Sequence, residues 1–268
     1  MKDYALELAS RQNGFNAKLN VMREYIQAYA MSILYDEGFF RTTAFLGGTA
    51  LRFLYNLPRF SEDLDFSIAN KSEGYSFVKI VERLKKEFSL AGYDISVTYN
   101  DKNTVQNTFL KFRALLYEAG ISPLNDQKFS IKIEIDTNPP EGAVLKTGIV
   151  NKYFPISFLS YDIPSLFAGK LHAIFSRKYT KGRDYFDLGW YLSRWKDLSP
   201  NITLLRNALK QTGWIGDMPT EGNWREFLYE SVKKTDWKGV RQDVKSFLEN
   251  QADMDVFSQE NLLMLIKD

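Results

Sequence analysis

The spacing of hydrophobic residues predicts helices mixed with strands in residues 1–158. Apolar positions recur every three to four residues in 16–37 and 75–90, which predicts two amphipathic helices. Short apolar or alternating runs bounded by turn residues predict strands at 42–46, 64–68, 93–99, 104–116 and 129–136, with one more within 144–156. In 129–136 the alternation is strict, so isoleucines face one way and Lys132, Glu134 and Asp136 face the other.

The pattern changes near residue 161, after which only helical spacing recurs. Helices are predicted at 165–177 and 183–195, and further helical runs follow to the end of the chain. The sequence therefore predicts an α+β protein with two domains. Residues 1–158 form a mixed sheet flanked by helices, and residues 159–268 form a helical domain.

Composition narrows the chemistry that such a protein can perform. The 268 residues include no cysteine and one histidine, His172, which excludes thiolate zinc sites, cysteine nucleophiles and histidine-rich metal sites. A metal would have to be held by carboxylates, which suit Mg²⁺ or Mn²⁺. The N-terminal MKDYALELAS lacks the features of a signal peptide, and no window resembles a membrane helix. We therefore expect a cytoplasmic protein without a membrane partner.

Two aspartates in the second predicted strand are the first candidate metal ligands. Asp63 and Asp65 are two residues apart, so both side chains point to one face of the strand. Two like charges this close are costly unless a cation lies between them. Taken alone, the pair is a weak indication, and a solvated strand edge with acidic side chains is the better interpretation.

A glycine-rich turn precedes this strand and strengthens the metal-site interpretation. Gly47, Gly48 and Thr49 lie between the strand predicted at 42–46 and a helix predicted from Thr49 to about Asn56. Glycines let a phosphate approach the backbone, the helix N-terminus offers free N–H groups, and the Thr49 hydroxyl can add a donor. An ordinary tight turn with a threonine cap is the competing interpretation.

A third carboxylate is expected on a neighbouring strand. Glu134 and Asp136 both lie on the polar face of 129–136. We prefer Glu134 because it is in the middle of the strand, although a solvated strand face explains both residues equally well.

At these positions the chain resembles the AbiEii/AbiGii toxin family, which includes the MenT-type toxins. The first family motif is matched by FLGGTALR at 45–52 and RFSEDLDF at 59–66, the second by KIEI at 132–135. The third, K-x-x-A…R…K-G-R-D-x-x-D-L, is matched between Lys170 and Leu188. The resemblance implies a polymerase-β-like nucleotidyltransferase domain with a metal site at Asp63, Asp65 and Glu134.

The resemblance also implies roles for residues outside the acidic pair. Catalytic roles extend to Lys170 and Asp187, supplied by the helical domain. The nucleotide-binding residues are expected to be Gly47, Gly48, Thr49, Arg52, Ser61, Arg177 and Asp184. Lys170, Arg177 and Lys181 also bring cations that would offset phosphate charge. Arg183 and Asp187 are four residues apart, so a structural ion pair on one helix is the competing interpretation for Asp187.

The implied reaction moves a nucleoside monophosphate from an NTP, GTP or CTP, to an acceptor hydroxyl. The acceptor would be an RNA such as a tRNA 3′ end, or a protein. The protein would then be the toxin of a type IV-like toxin–antitoxin or abortive-infection system, with a cognate antitoxin as a possible partner. Two alternatives are a small-molecule nucleotidyltransferase of the antibiotic-modifying kind and a nucleotide-binding pseudo-enzyme that acts through a protein partner.

Overall fold

The structure is a computed structural model that describes residues 1–69 and 75–267. Its strands are β1 (Thr43–Leu46), β2 (Asp63–Ile68), β3 (Ile95–Asn100), β4 (Val105–Phe112), β5 (Phe129–Asp136), β6 (Leu145–Asn151) and β7 (Pro155–Tyr161). Its α-helices are α1 (Lys2–Ser10), α2 (Phe15–Asp36), α3 (Gly47–Tyr55), α4 (Phe77–Leu90), α5 (Leu115–Glu118), α6 (Ile163–Ser176), α7 (Gly182–Arg194), α8 (Ile202–Gln211), α9 (Trp224–Lys233), α10 (Trp237–Lys245), α11 (Asp253–Val256) and α12 (Gln259–Lys267). A short 3₁₀ helix, Phe39–Arg41, precedes β1.

The strands form one mixed sheet in the order β3-β4-β5-β2-β1-β7-β6. The strand β2 lies at its centre, antiparallel to β1 and parallel to β5. As a result, β1, which ends at the glycine-rich turn, lies on one side of β2. The strand β5, which carries the predicted third carboxylate, lies on the other side. The mixed α+β fold predicted from the sequence is confirmed.

The chain divides into two compact units whose sequence ranges interleave. The first unit comprises 1–56, 60–138 and 147–160, and the second comprises 57–59, 139–146 and 161–268. The short segments 57–59 and 139–146 thus belong to the second unit, whereas the two-domain prediction assigned them to the first. Hydrophobic spacing could not reveal this, because a three-residue segment carries no periodicity.

Aromatic side chains of neighbouring central strands pack against each other in the core of the first unit. Phe45, Phe66 and Phe158, on β1, β2 and β7, are buried, with the Phe45 ring centroid 5.3 Å from each of the other two. Offset ring pairs of this kind add to the free energy gained by burying the rings. Because Phe66 alternates with Asp65 along β2, this packing fixes which face of the strand carries the aspartates.

In the second unit, a glycine sets the close packing of two helices. Gly182 is buried as the first residue of α7, and a Cβ added there would overlap the carbonyl oxygen of Val240 in α10. The two helices can approach this closely only because residue 182 has no side chain. The K-G-R-D part of the third motif therefore lies at a point where α7 packs closely on α10.

Two predicted elements differ from the observed ones. The strand expected within 144–156 is β6, which ends at Asn151, and a second strand, β7, begins at Pro155 after a turn whose aromatic residues pack on α2. The ring of Tyr153 lies 5.4 Å from that of Tyr25, and Phe154 lies 5.8 Å from Tyr29. The predicted strand 104–116 ends at Phe112, and the chain then turns through Ala114, which has φ of 61°.

Within the described residues, no helix has both the length and the apolar character needed to cross a membrane.

Candidate functional site

Two neighbouring strands place three carboxylates and one ammonium group on the same face of the sheet. In the parallel pair of β2 and β5, Asp63 lies opposite Lys132 and Asp65 lies opposite Glu134. All four side chains are half-buried, whereas Leu64 and Ile133, between them, are buried on the other face. We call these four residues the acidic face. The spacing of two residues on each strand produces it, because alternate residues of a strand point the same way.

Within the acidic face, Glu134 is paired with Lys132. The Lys132 Nζ atom lies 2.8 Å from the Glu134 carboxylate. Partial burial disfavours the charged ammonium, but the hydrogen bond to Glu134 and the negative charges of Glu134, Asp63 and Asp65 outweigh it. The pKa of Lys132 is therefore raised above its ordinary value.

The carboxylates suit a divalent cation by their chemistry and their placement. Oxygen donors are the ligands that Mg²⁺ and Mn²⁺ prefer, and Asp63, Asp65 and Glu134 lie at neighbouring register positions. Among the residues that the structure describes, however, no three His, Cys, Asp or Glu side chains are grouped closely enough to hold a metal ion. The Glu134 carboxylate instead contacts the Lys132 ammonium at 2.8 Å.

The glycine-rich turn lies directly against Asp65. Gly47 has φ of +79°, a left-handed conformation that glycine adopts without strain. A Cβ added at this position would overlap the Oδ2 atom of Asp65. Gly47 is therefore needed both for the turn and for the position of the carboxylate.

Polar contacts hold the backbone on both sides of Asp63. The buried Thr49 hydroxyl donates a hydrogen bond to the Asp63 carbonyl oxygen. The side-chain amide of Gln27 in α2 donates to the carbonyl oxygens of Ser61 and Glu62, at 3.1 and 2.8 Å. The Thr49 hydroxyl, expected to face a phosphate, thus donates to the strand. Gly48 is also buried, and the described residues supply no side-chain cap for the N-terminus of α3.

Arg52 belongs to a buried charge cluster behind the turn. Its guanidinium pairs with Glu24 of α2 and lies 4.0 Å from the centroid of the Phe60 ring. Burial favours the neutral form of Glu24, but the charges of Arg52 and Lys152 outweigh it and lower the pKa of Glu24. Tyr153 also donates to Glu24 at 2.9 Å. Sequence reasoning missed Glu24, because it stands in an amphipathic helix without a motif.

The structure distinguishes the two candidates for the third carboxylate. Glu134 lies opposite Asp65, whereas Asp136 lies opposite Ser67. Asp136 accepts a hydrogen bond from the Asn138 backbone N–H at 2.9 Å, as expected of an aspartate that begins a turn. Burial raises the pKa of Asp136, against the effect of that hydrogen bond.

In the second unit, the third motif forms a buried ion-pair network around Asp187. The Arg59 guanidinium donates to both oxygens of Asp187 at 2.6 Å, and the Lys170 ammonium lies 2.6 Å from Oδ2. The Asp187 side chain is 0% exposed and that of Arg59 is 2% exposed. The carboxylate is thus enclosed by two cations, and a side chain so buried cannot contact a substrate in this structure.

Asp184, one helical turn before Asp187, extends the network. It pairs with Lys170 at 3.0 Å and with Arg177, at the C-terminal end of α6. Burial would raise the pKa of Asp184, but the charges of Lys170 and Arg177 outweigh it, so the pKa lies below its ordinary value. The structure therefore brings Lys170, Arg177, Asp184 and Asp187 together as one network.

Arg59 is the member of this network that sequence reasoning did not assign. It lies in the first motif, next to residues of the acidic face in sequence, yet it belongs to the second unit and forms an isolated bridge with Leu248. Because Arg59 stands in a motif with a buried-strand pattern, the sequence could have indicated that it pairs with a carboxylate. It could not have indicated which carboxylate. His172, the single histidine, contacts the Thr212 hydroxyl at 3.0 Å and takes no part in the network's ion pairs.

Comparisons with known proteins identify the family and the fold of the chain. The family model described as "Nucleotidyl transferase AbiEii toxin, Type IV TA system" matches residues 30–259. The fold is similar to that of JHP933 from Helicobacter pylori, with a TM-score of 0.54 and 21% identity over 91% of this chain and 87% of that one. It is also similar to MenT4, a nucleotidyltransferase toxin from Mycobacterium tuberculosis, with a TM-score of 0.58 and 14% identity over 100% of this chain and 90% of that one. No curated protein sequence matches the chain.

Replacing Gly47 by alanine tests the contact between the turn and Asp65. We expect Gly47→Ala to lower the free energy of unfolding by more than Gly92→Ala. Both glycines have positive φ, which costs an alanine about 1–2 kcal/mol, but a Cβ at Gly92 meets nothing within 4 Å. Urea unfolding of the two variants measures the difference. Equal losses would show that Asp65 does not restrict residue 47.

Removing Arg59 tests the ion-pair network. Arg59→Met leaves a fully buried Asp187 with Lys170 alone, and breaking a buried ion pair typically costs about 3–5 kcal/mol. We expect a loss of that size in the free energy of unfolding. The control is Arg11→Met in the exposed pair with Glu7, whose side chains are 61% and 51% exposed, with an expected loss below about 1 kcal/mol. Similar losses in both variants would contradict the structural role of Arg59.

Proposed function

The chain belongs to the AbiEii nucleotidyl transferase toxin family, and from this premise we propose that it transfers a nucleoside monophosphate from GTP or CTP to the 3′ end of an RNA. The observation that carries the proposal is the acidic face, with Asp65 opposite Glu134 and against Gly47. This reaction uses nucleoside triphosphates and RNA, so we propose that it takes place in the cytoplasm. We further propose that a cognate antitoxin restrains it.

Asp63, Asp65 and Glu134 are the proposed holders of Mg²⁺ or Mn²⁺. When bound there, the metal supplies charge that stabilises the reacting phosphate and lowers the pKa of an attacking hydroxyl. The preference for Glu134 over Asp136 rests on register, because Glu134 is the residue opposite Asp65. Asp136 instead accepts a backbone hydrogen bond in the turn that follows.

The N-terminus of α3 is the proposed phosphate-binding element. Its first backbone N–H groups lack a side-chain cap within the described chain, and Gly47 adds no side chain of its own beside Asp65. We propose that Gly48 contributes its N–H group and that Ser61 adds a polar group to the nucleotide site. Thr49 and Arg52 then act on this site indirectly, since Thr49 holds the Asp63 carbonyl and Arg52 anchors α3 to Glu24.

In the second unit, Lys170 and Arg177 are the proposed ligands of a substrate phosphate. An ammonium group has three donors, and two of those of Lys170 face Asp184 and Asp187. The two carboxylates fix the position of the Lys170 ammonium and therefore also the direction of its remaining N–H donor. On this proposal Asp184 and Asp187 serve the reaction by orienting cations.

The choice of RNA as acceptor rests on the segment between α6 and α7. Arg177, Lys178 and Lys181 supply positive charge there, and the Tyr179 side chain is 70% exposed. Exposed aromatic rings among cations suit single-stranded nucleic acid, because every base can stack on a ring. A small antibiotic acceptor would instead call for a pocket lined with carboxylates.

Label transfer tests the acidic face. We expect the wild-type protein to incorporate label from an α-³²P-labelled NTP in the presence of Mg²⁺ and total RNA. Asp63→Asn combined with Asp65→Asn should reduce incorporation by at least about a hundredfold, because the amides keep the shape but lose the charge that holds the metal. Asp101→Asn, at an exposed position of the same unit, is the control and should transfer normally. Undiminished transfer by the double variant would refute the proposed mechanism.

The acceptor is identified by where the label appears. With each of the four NTPs in turn, we expect label from GTP or CTP in tRNA-sized RNA. Lys178→Ala combined with Tyr179→Ala should raise the KM for RNA several-fold while leaving the KM for the NTP unchanged, because stacking is worth about 1–3 kcal/mol per base. Label in the protein itself, or in a small acceptor without RNA, would contradict the proposal that RNA is the acceptor.

A further inference from the structure

A lysine lies among the three carboxylates that are expected to hold a metal. Lys132 is opposite Asp63 across the β2–β5 pair and lies 2.8 Å from the Glu134 carboxylate. Its charge also interacts with Asp63 and Asp65. A positive charge is thus already present among the three carboxylates.

The other side of Lys132 is an aromatic ring. Phe109 of β4 lies opposite Lys132 in the sheet, and the ammonium lies 5.7 Å from the centroid of its ring. A cation near a ring face is attracted to it, so the ammonium can move away from the carboxylates without losing all favourable contact. The lysine therefore has two partners of different strength, Glu134 and Phe109.

We propose that Lys132 is an internal counter-ion of the nucleotidyl-transfer site. In the metal-free protein it neutralises part of the charge of the acidic face and keeps Glu134 turned toward itself. With a metal ion held by Asp63, Asp65 and Glu134, Lys132 would no longer have Glu134 as its partner, and its ammonium would pair with a phosphate oxygen of the bound nucleotide. Lys132 is therefore a positioning residue for Glu134, and this inference rests on the proposed function.

The exchange of partners couples metal binding to nucleotide binding. With Lys132 in place, a metal ion alone must separate the Lys132–Glu134 pair and receives nothing in return. A metal bound to a nucleotide also brings phosphate oxygens, which would replace Glu134 as the partner of the Lys132 ammonium. Lys132 therefore weakens the binding of metal alone and strengthens the binding of nucleotide with metal, and this coupling is reciprocal between the two ligands.

Calorimetric titration of Mn²⁺ alone into the full-length protein tests this role. We expect Lys132→Met to bind Mn²⁺ about tenfold more tightly than the wild type, since the competing charge lies within contact distance of a ligand. Titration of a non-hydrolysable GTP or CTP analogue at saturating Mn²⁺ should show about tenfold weaker binding by the same variant. Opposite changes for the two ligands are not expected of a residue that only supports the fold.

Lys111 offers a matched control on the neighbouring strand. Its ammonium lies 5.9 Å from the centroid of the same Phe109 ring, but it is opposite Ser130 and not a carboxylate. Lys111→Met removes the same charge and should change both affinities by less than about twofold. Lys132→Arg keeps the charge and should retain most of the coupling. Should Lys132→Met fail to fold, Lys132→Gln carries the same expectation.

The outcomes separate this inference from the function on which it rests. If the Asp63→Asn, Asp65→Asn double variant loses Mn²⁺ binding and Lys132→Met binds no more tightly than wild type, the role of Lys132 is refuted and the metal site stands. An equal gain in Lys111→Met would also refute it, because the effect would then be one of general charge. If the double variant binds Mn²⁺ as the wild type does, the metal site itself is wrong and the inference falls with it.

Discussion

Repulsion among Asp63, Asp65 and Glu134 is the constraint around which the first unit is built. Their half-buried carboxylates lie at neighbouring positions on two strands, where like charges destabilise the fold. The surrounding residues hold them there by contacts that do not depend on a ligand. Gly47 leaves room for Asp65, and Thr49 holds the Asp63 backbone. The opposite faces of the strands bury aromatic and aliphatic side chains, which prevents a shift in register.

The second unit holds cations, and not carboxylates, in fixed positions. Asp184 and Asp187 are buried acceptors, and they face three cations, Arg59, Lys170 and Arg177. The excess of cations leaves the network with a net positive charge. A long lysine side chain loses considerable rotamer freedom when it is fixed, and two carboxylates on one helix face overcome that cost. The cations of this network are therefore held in fixed positions, whereas a lysine on the surface would be mobile.

The pattern of the sequence was sufficient to predict the α+β fold and most of the elements. The apolar spacing that predicted helices and strands corresponds to observed elements such as α2, α4, β2 and β5. It was also sufficient to bring Asp65 and Glu134 into one hypothesis, because period-two alternation determines the face on which a strand residue lies. The alternation also placed Lys132 on that face, but it did not reveal the pairing of Lys132 with Glu134, since the sequence does not indicate which contact a flexible ammonium makes. Contacts distant in sequence, such as Arg59 with Asp187 and Glu24 with Arg52, could not be predicted either. They depend on how separate elements come together, and nothing local encodes the pairing.

The motifs therefore contain two kinds of residue that a sequence cannot distinguish. Some lie where a ligand can reach them, as the half-buried Asp63, Asp65 and Glu134 do. Others, including Thr49, Arg59 and Asp187, are so buried that their polar groups meet only other parts of the protein. The proposed function needs both kinds, so loss of activity alone cannot assign a role. Their effects on stability differ in sign, because removing Asp63 or Asp65 relieves repulsion, whereas removing a member of a buried pair leaves its partner charged and unpaired. Stability measured beside activity is therefore the observation that separates residues that act on a ligand from residues that support the fold.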